Sequence, residues 1–478
     1  MTHNSAALLS VSLILAFTVV SHGASIITTN GTQFVDDVGR VVVLRGLNLP
    51  ADAKLPDFMP LKVKTPLHVM QLYGANVARV LFTWEAFEPN RGNYSMEYLD
   101  YYLGLVEALY KQGVYTLVDM HQDFYSRWLN KGCGEGFPQW AVLVNPLLTK
   151  PPTNGVFCTA WILQGPFDLS TWLNWYMFYQ GSEGVRNSFL DMWEYLAERF
   201  ADNPAILGYD MLNEPFGDEV KQISPLYEDI AARIRKHDQK AILFIEPQIY
   251  AGAGGDIALK QPTFSNYAMA AHYYGQTRKK FVVFPFDGVI KRWKAQMDSW
   301  NAPLWFGEFG ANNDPNPDNV QFQAPNYIAM VYDELDKYLL GGTQWGWTDN
   351  WTPANHDGWN QENFSITDQR RQIRSNYAIR AYPQAIAGTP GTFKIDSKYR
   401  VLDLDWVVTD AALSQGSRGA TTEIFAPVQG FFQVATVSDL QIKVTSSVKC
   451  TYAADLLMLN CLATQPGNVT LHIEPVSL

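Results

Sequence analysis

The stretch Tyr209-Asp210-Met211-Leu212-Asn213-Glu214-Pro215-Phe216-Gly217 decides the reading of the whole chain. Its upstream part, Ile206 to Leu212, is an apolar run too short for a helix, which predicts a buried strand. Pro215 cannot continue a hydrogen-bonded ladder and Gly217 permits a turn, so the strand ends where Asn213 and Glu214 stand. A second stretch, Pro303-Leu304-Trp305-Phe306-Gly307-Glu308-Phe309-Gly310, repeats the device: an apolar run delivers a glutamate and glycine breaks it. Carboxylates at the C-terminal tips of strands are the signature of catalysis on a parallel barrel.

Working outward from these two strands, the same alternation recurs. Strands are predicted at Val41–Leu47, Asn76–Phe82, Val114–Met120, Ile206–Leu212, Ala241–Ile245, Tyr267–Tyr273, Leu304–Gly307 and Gly342–Trp347. Helical spacing separates them at Met96–Gln112, Val185–Phe200, Leu226–His237, Val289–Asn301 and Tyr327–Leu340, with a closing helix expected over Gln369–Arg380. Eight such repeats predict an α/β chain built on a (β/α)₈ TIM barrel. A doubly wound open sheet is disfavoured, because no Gly-rich phosphate turn follows the first strand. The insertion over residues 122–183 is too long for an ordinary loop and is expected to shape a binding site. At Ala387-Gly388-Thr389-Pro390-Gly391 the composition changes to short alternating strands, including Thr421–Ala426, Phe431–Val434, Gln441–Val444 and Val469–Ile473. The expected organisation is therefore a leader over 1–23, a barrel over 24–387 and a C-terminal antiparallel β-sandwich over 388–478.

Composition narrows the function classes. Of the 478 residues, 47% are hydrophobic and 17% charged, which fits a filled core rather than disorder. The formal charge of −11, with no basic run, argues against a general binder of phosphate backbones or anionic membranes. The apolar segment from Ala6 to Val20, followed by Ser21-His22-Gly23, reads as a signal peptide cleaved near Gly23 or Ala24, hence a secreted protein. Four cysteines fit that compartment. Pairing Cys133 with Cys158 and Cys450 with Cys461 is the simplest of three connectivities. Asn30, Asn93, Asn350, Asn363 and Asn468 head glycosylation triplets, with Asn350 close to the expected cleft.

Two glutamates on the tips of opposed barrel strands, four and seven, suggest glycosidic bond cleavage, with Glu214 as general acid/base and Glu308 as nucleophile. Glu214 then needs a raised pKa, from burial and from the second carboxylate. Taken alone, either glutamate is as readily a salt-bridged loop residue; the two contexts together are what favour chemistry. His121 and His272 lie on apolar strands, where a histidine is usually a satisfied structural group. No metal site and no cofactor is implied, since His121-Gln122-Asp123 lacks companion ligands.

The chain resembles glycoside hydrolase family 5 over residues 35 to 385. It carries that family's Asn213-Glu214-Pro215, an arginine within Asn76-Val77-Ala78-Arg79, the strand-six His272-Tyr273-Tyr274 and a strand-eight tryptophan, Trp347. Within the family it most resembles endoglycoceramidases, through Asp52-Ala53-Lys54, Val118 to Ser126, Asp210 to Gly217 and the added β-domain. The resemblance implies that Lys54, Asp119, Asp123 and Asn213 bind the glucose next to ceramide, while His121, Tyr274 and Trp347 shape the pocket. Trp161 joins that set, Arg79 orients Glu308, and Tyr274 holds the nucleophile ionised. The expected substrate is a glycosphingolipid, its glycan in the cleft and its ceramide on an apolar surface, taken from a micelle or membrane by a monomer. Trp172–Tyr179 and Phe281–Phe286 are the candidate apolar loops. The enzymatic alternative is a family β-glucosidase or endoglucanase acting on glucosylceramide, steryl glucoside or β-glucan. A glycolipid-binding protein without turnover would require a broken carboxylate pair.

Overall fold

The computed structural model describes residues 25–61, 67–145, 148, 150, 158, 167–275, 285–313, 324–349, 351–354, 356–360, 362–374 and 379–476. The leader, Trp161, Asn350 and Phe281–Phe284 lie outside the described residues. No helix among those described is long and apolar enough to cross a membrane.

The chain opens with three short strands, β1 (Thr28–Asn30), β2 (Gln33–Val35) and β3 (Val41–Val42). The barrel follows as β4 (Arg45–Leu49), β5 (Val77–Thr83), β6 (Tyr115–His121), β7 (Ile206–Asp210), β8 (Ile242–Ile245), β9 (Tyr267–Tyr273), β10 (Leu304–Phe309) and β11 (Gly342–Gln344). These eight close on one another in sequence order, with β11 pairing back onto β4. Every residue of β5, β9 and β10 is buried, as expected of parallel strands covered on both faces. Helix boundaries follow local chemistry. The Ser95 side chain accepts the Tyr98 N–H to start Met96–Tyr110, and Asp168 accepts from Thr171 to start Leu169–Tyr179.

Two expectations fail for identifiable reasons. No helix closes the barrel over residues 369–374; they form a turn bridged at Thr367 and Ile373. The Asp368 carboxylate accepts the N–H groups of Arg370 and Gln372, a local bond that competes with helix formation. The expected strand at Phe431–Val434 is instead the end of a π-helical turn over Val428–Phe432, in which Phe431 and Phe432 are buried.

The second unit contains β12 (Tyr382–Ile386), β13 (Thr389–Asp396), β14 (Val401–Val408), β15 (Thr421–Phe425), β16 (Leu440–Val444), β17 (Val448–Ala453), β18 (Met458–Ala463) and β19 (Gly467–Pro475). Its two sheets run β1-β2-β3-β12-β15-β18-β17 and β13-β14-β19-β16. The larger sheet takes strands from both chain ends, because β3 pairs antiparallel with β12. Residues 28–42 and 382–386 therefore fall on the sandwich side of the boundaries expected at 24 and 387, and the predicted strand Val41–Leu47 divides between the two units. Val41, Val43, Tyr382 and Phe425 share one apolar cluster, which ties the sandwich to the chain segment entering the barrel. Disulfides join Cys133 to Cys158 and Cys450 to Cys461. The second spans a directly paired position of β17 and β18.

Candidate active site

The site is organised by one buried cation. Arg79, on β5 and fully buried, donates to Glu308 Oε1 at 2.7 Å, Asp119 Oδ1 and Asp210 Oδ2 at 2.8 Å, and Glu246 Oε1 at 2.9 Å. It also donates to Asn213 Oδ1 at 2.8 Å and Asn48 Oδ1 at 3.0 Å. A guanidinium presents five N–H donors in a fixed fork, and here one group holds carboxylates from four barrel strands or their ends. Its role is wider than orienting Glu308.

Glu214 follows β7 and has a φ of +39°, a left-handed conformation that costs a non-glycine residue energy. Neighbours hold that backbone in place. Glu246 Oε2 accepts the Glu214 N–H at 2.7 Å, and Gln122 Nε2 donates to the carbonyls of Asn213 and Glu214 at 2.7 and 3.0 Å. Glu308 stands on β10 after Gly307, where a Cβ would come within 2.7 Å of His272 Nε2, so glycine leaves room for that ring. One carboxylate oxygen from each of Glu214 and Glu308, and a ring nitrogen of His272, lie within 4.8 Å of one another. His272 Nδ1 is 2.9 Å from Glu214 Oε1 and 3.6 Å from Glu308 Oε2, and Tyr274 donates its hydroxyl to Glu308 Oε2 at 2.9 Å.

These surroundings separate the two acids. Burial pushes the Glu214 carboxyl above its ordinary value, against the opposing hydrogen bond from His272. Burial would raise Glu308 too, but the charges of His272 and Arg79 outweigh it and hold that carboxyl at about 2. His272 itself is raised despite burial, by Glu246 and Glu308. One carboxyl is pushed toward its protonated form while its neighbour is held ionised, the division that acid/base and nucleophile require.

A polar recess adjoins the pair. Lys54 Nζ is 2.6 Å from Asp123 Oδ2 and stands over the rings of Trp345 and Trp359, 4.4 and 4.6 Å from their centroids. The Trp345 indole stacks on His121 at 5.4 Å between centroids and 9° between planes, and donates to Glu362 at 3.1 Å. His121 Nδ1 meets Asp119 Oδ2 at 2.7 Å, while its Nε2 lies 3.7 Å from Glu135 Oε1 and forms no hydrogen bond. The two triads His121/Asp123/Glu135 and Glu214/His272/Glu308 have the residue types a cation takes. Lys54 and Arg79 already supply positive charge to both, at 2.6 and 2.7 Å.

The structure brings together Lys54, Arg79, Asp119, His121, Asp123, Asn213, Glu214, Tyr274 and Glu308. It reassigns two expected contacts. Trp347 is 0% exposed in the barrel's apolar core, and Trp345 is the indole over the recess. Asp119 lies beneath the recess with one oxygen on Arg79 and the other on His121, holding them rather than facing a ligand. Sequence reading missed Trp345, Glu135, Glu246, Glu362 and Asp210. Only the last, within Asp210-Met211-Leu212-Asn213-Glu214, stood in a quoted motif. Asn363 is buried, with its side-chain oxygen accepting from Arg374, so it does not present a glycan acceptor; Asn30, Asn93 and Asn468 are exposed.

The Trp172–Tyr179 run divides by face. Trp175 and Phe178 pack into the core, whereas Leu169, Trp172, Leu173 and Tyr176 remain 68, 46, 37 and 57% exposed. Trp172 meets Phe216 edge-on at 4.1 Å, and Phe216 meets Tyr250 at 5.8 Å, so an aromatic strip leads outward from the Glu214 loop. Phe286 is buried.

Comparison with known proteins matches residues 35–351 to the family model described as Cellulase (glycosyl hydrolase family 5), and residues 380–473 to the glycoside hydrolase family 5 C-terminal domain. Endoglycoceramidase I of Rhodococcus hoagii is 31% identical over 402 residues, covering 77% of this chain and 74% of that protein. The endoglycoceramidase of Cyanea nozakii is 25% identical over 417 residues, covering 79 and 80%. Among solved structures, endo-glycoceramidase II from Rhodococcus sp. in complex with ganglioside GM3 superposes with a TM-score of 0.75 at 23% identity, covering 93% of this chain and all of that one.

Proposed function

The chain belongs to glycosyl hydrolase family 5, and from that premise we propose that it is a secreted, retaining endo-β-glycosidase that cuts the glucosyl bond between oligosaccharide and ceramide in glycosphingolipids. Its similarity to endoglycoceramidases, and the GM3 complex of the Rhodococcus protein, support the substrate class. Two disulfides support an oxidising compartment.

The observation that carries the reading is the close Glu214–Glu308 approach, in surroundings that raise one carboxyl and depress the other. Retaining enzymes hold their two carboxyl groups about 5–5.5 Å apart, whereas inverting ones leave room for a water molecule between them. Glu308, ionised by Arg79, His272 and Tyr274, attacks the anomeric carbon. Glu214 protonates the departing ceramide oxygen, then deprotonates the water that releases the glycan with its β configuration. Lys54, Asp123 and His121 offer charged or polar contacts to sugar hydroxyls, with Trp345 as a stacking face. The exposed rings of Trp172 and Tyr250, joined through the buried Phe216, give ceramide an apolar path away from Glu214.

The test incubates purified protein with a ganglioside and with cellulose, beside a Glu308→Gln variant. Release of intact oligosaccharide from the ganglioside is expected, with all hydrolysis lost and binding kept in the variant. Turnover by the variant at the parent rate, or cleavage of cellulose alone, would overturn the assignment.

A further inference from the structure

We propose that Glu246, just beyond β8, is the positioning residue that fixes the acid/base Glu214 from two sides. It holds the strained Glu214 backbone through its N–H and the Glu214 carboxyl through the His272 ring. The inference rests on the reading of Glu214 as acid/base.

Glu246 is 1% exposed, and its two oxygens divide their work. Oε2 accepts the N–H of Glu214 at 2.7 Å, at the residue whose φ of +39° needs support. Oε1 accepts from Arg79 Nη2 at 2.9 Å and lies 3.2 Å from His272 Nε2. Since His272 Nδ1 is 2.9 Å from Glu214 Oε1, the imidazole is clamped between the two carboxyl groups. One oxygen of Glu214 is thereby occupied, and the other is left to carry the proton toward the leaving group. Glu246 is anchored in turn. Its N–H donates to the Tyr227 hydroxyl at 3.1 Å and its carbonyl accepts that hydroxyl's proton at 2.9 Å. Two donors hydrogen-bond this buried carboxyl group, one on each oxygen, with His272 Nε2 close by at 3.2 Å, and an amide in its place would turn N–H groups toward at least one of them.

A defect confined to acid/base placement has a kinetic signature that general loosening lacks. A ceramide alkoxide needs protonation to leave; a dinitrophenolate does not. For Glu246→Gln, kcat/KM on lactosylceramide is expected to fall by about 10²-fold or more, the scale of general acid catalysis. On 2,4-dinitrophenyl β-lactoside the fall stays below about 10-fold on that same scale, and sodium azide accelerates turnover with lactosyl azide as product. Labelling of Glu308 by a 2-deoxy-2-fluoro glycoside confirms that the variant is folded with its nucleophile intact. If Glu246→Gln does not fold, Glu246→Asp keeps a carboxyl group on the Arg79 side while withdrawing the oxygens from Glu214 and His272, and must show the same split. Equal losses on both substrates without azide rescue, or no loss, would overturn the inference while leaving Glu214 as acid/base. Failure of the parent enzyme on both substrates would overturn it together with the reading beneath it.

Discussion

At the scale of single residues, Glu214 and Glu308 were legible because each ends an apolar run at a residue that cannot continue a strand. Their electrostatic setting was not. Arg79 gathers carboxylates scattered from Asp119 to Glu308, and only closure of the barrel brings those positions together. Sequence likewise could not choose between Trp345 and Trp347, which flank one glycine. The contrast is testable. Trp345→Ala removes the stacking face and is expected to weaken glycan binding by about 1–3 kcal/mol, a scale borrowed from aromatic stacking platforms, together with a loss of stability, since Trp345 is buried in a small cluster with Ala51, Ala53 and Leu81. Trp347→Ala opens a cavity in the core and should cost about 3–5 kcal/mol of stability. Titration calorimetry and thermal melts of the two variants separate these outcomes. The pH profile follows from the paired acids. Glu308 at about 2 stays ionised through the mildly acidic range, so kcat/KM should hold there. Activity is then lost as pH rises through the elevated value of Glu214, when the general acid loses its proton. A profile limited instead by an acidic limb near pH 5 would contradict this assignment of roles.

At the scale of elements, the barrel strands were readable because burial on both faces leaves continuous apolar runs. The element after β11 was not. Helical spacing over 369–374 was overridden by the Asp368 carboxylate, a polar detail that hydrophobic periodicity does not register. The insertion after β6 reads from its length as one that shapes a binding site, but the sequence does not say through which residues. The structure shows that its Asp123–Glu135 bridge places a carboxylate behind His121, and that Cys133, two residues from Glu135, is tied to Cys158. Replacing Cys133 and Cys158 with serine frees a 25-residue separation and should cost about 2–4 kcal/mol. Because the tether adjoins the recess, KM for glycan substrate should rise as well. Melts and kinetics on the double variant check both; an unchanged KM would detach the tether from the site.

At the scale of the whole molecule, the sandwich was legible from strand alternation, but its membership was not. Pairing of β3 with β12 joins segments about 340 residues apart, which local pattern cannot reveal. Buried acids make stability depend on pH in a definite direction. Burial, with Asp210 nearby, raises Glu246 from 4.5 to about 7, and burial raises Glu362 from 4.5 to about 8. A carboxyl raised on folding stabilises the fold below its unfolded value, and that contribution is lost as pH rises through the folded one. Glu308, depressed to about 2, acts in the opposite sense: its contribution is present above 4.5 and lost as pH falls toward 2. Thermal melts should therefore peak on the acid side, near pH 4–5 from these pKa values, and decline toward pH 8. A melting temperature that rises steadily from pH 5 to 8 would show that these groups are ionised in the folded protein.

The two carboxyl groups facing each other across the barrel mouth imply one stereochemical result. Proton NMR of the first glycan released from a ganglioside, recorded before mutarotation, reads it directly. The intact oligosaccharide should appear as the β-anomer and convert slowly to the equilibrium mixture. An α-anomer appearing first would contradict the assignment of Glu308 as a nucleophile and Glu214 as its acid/base partner.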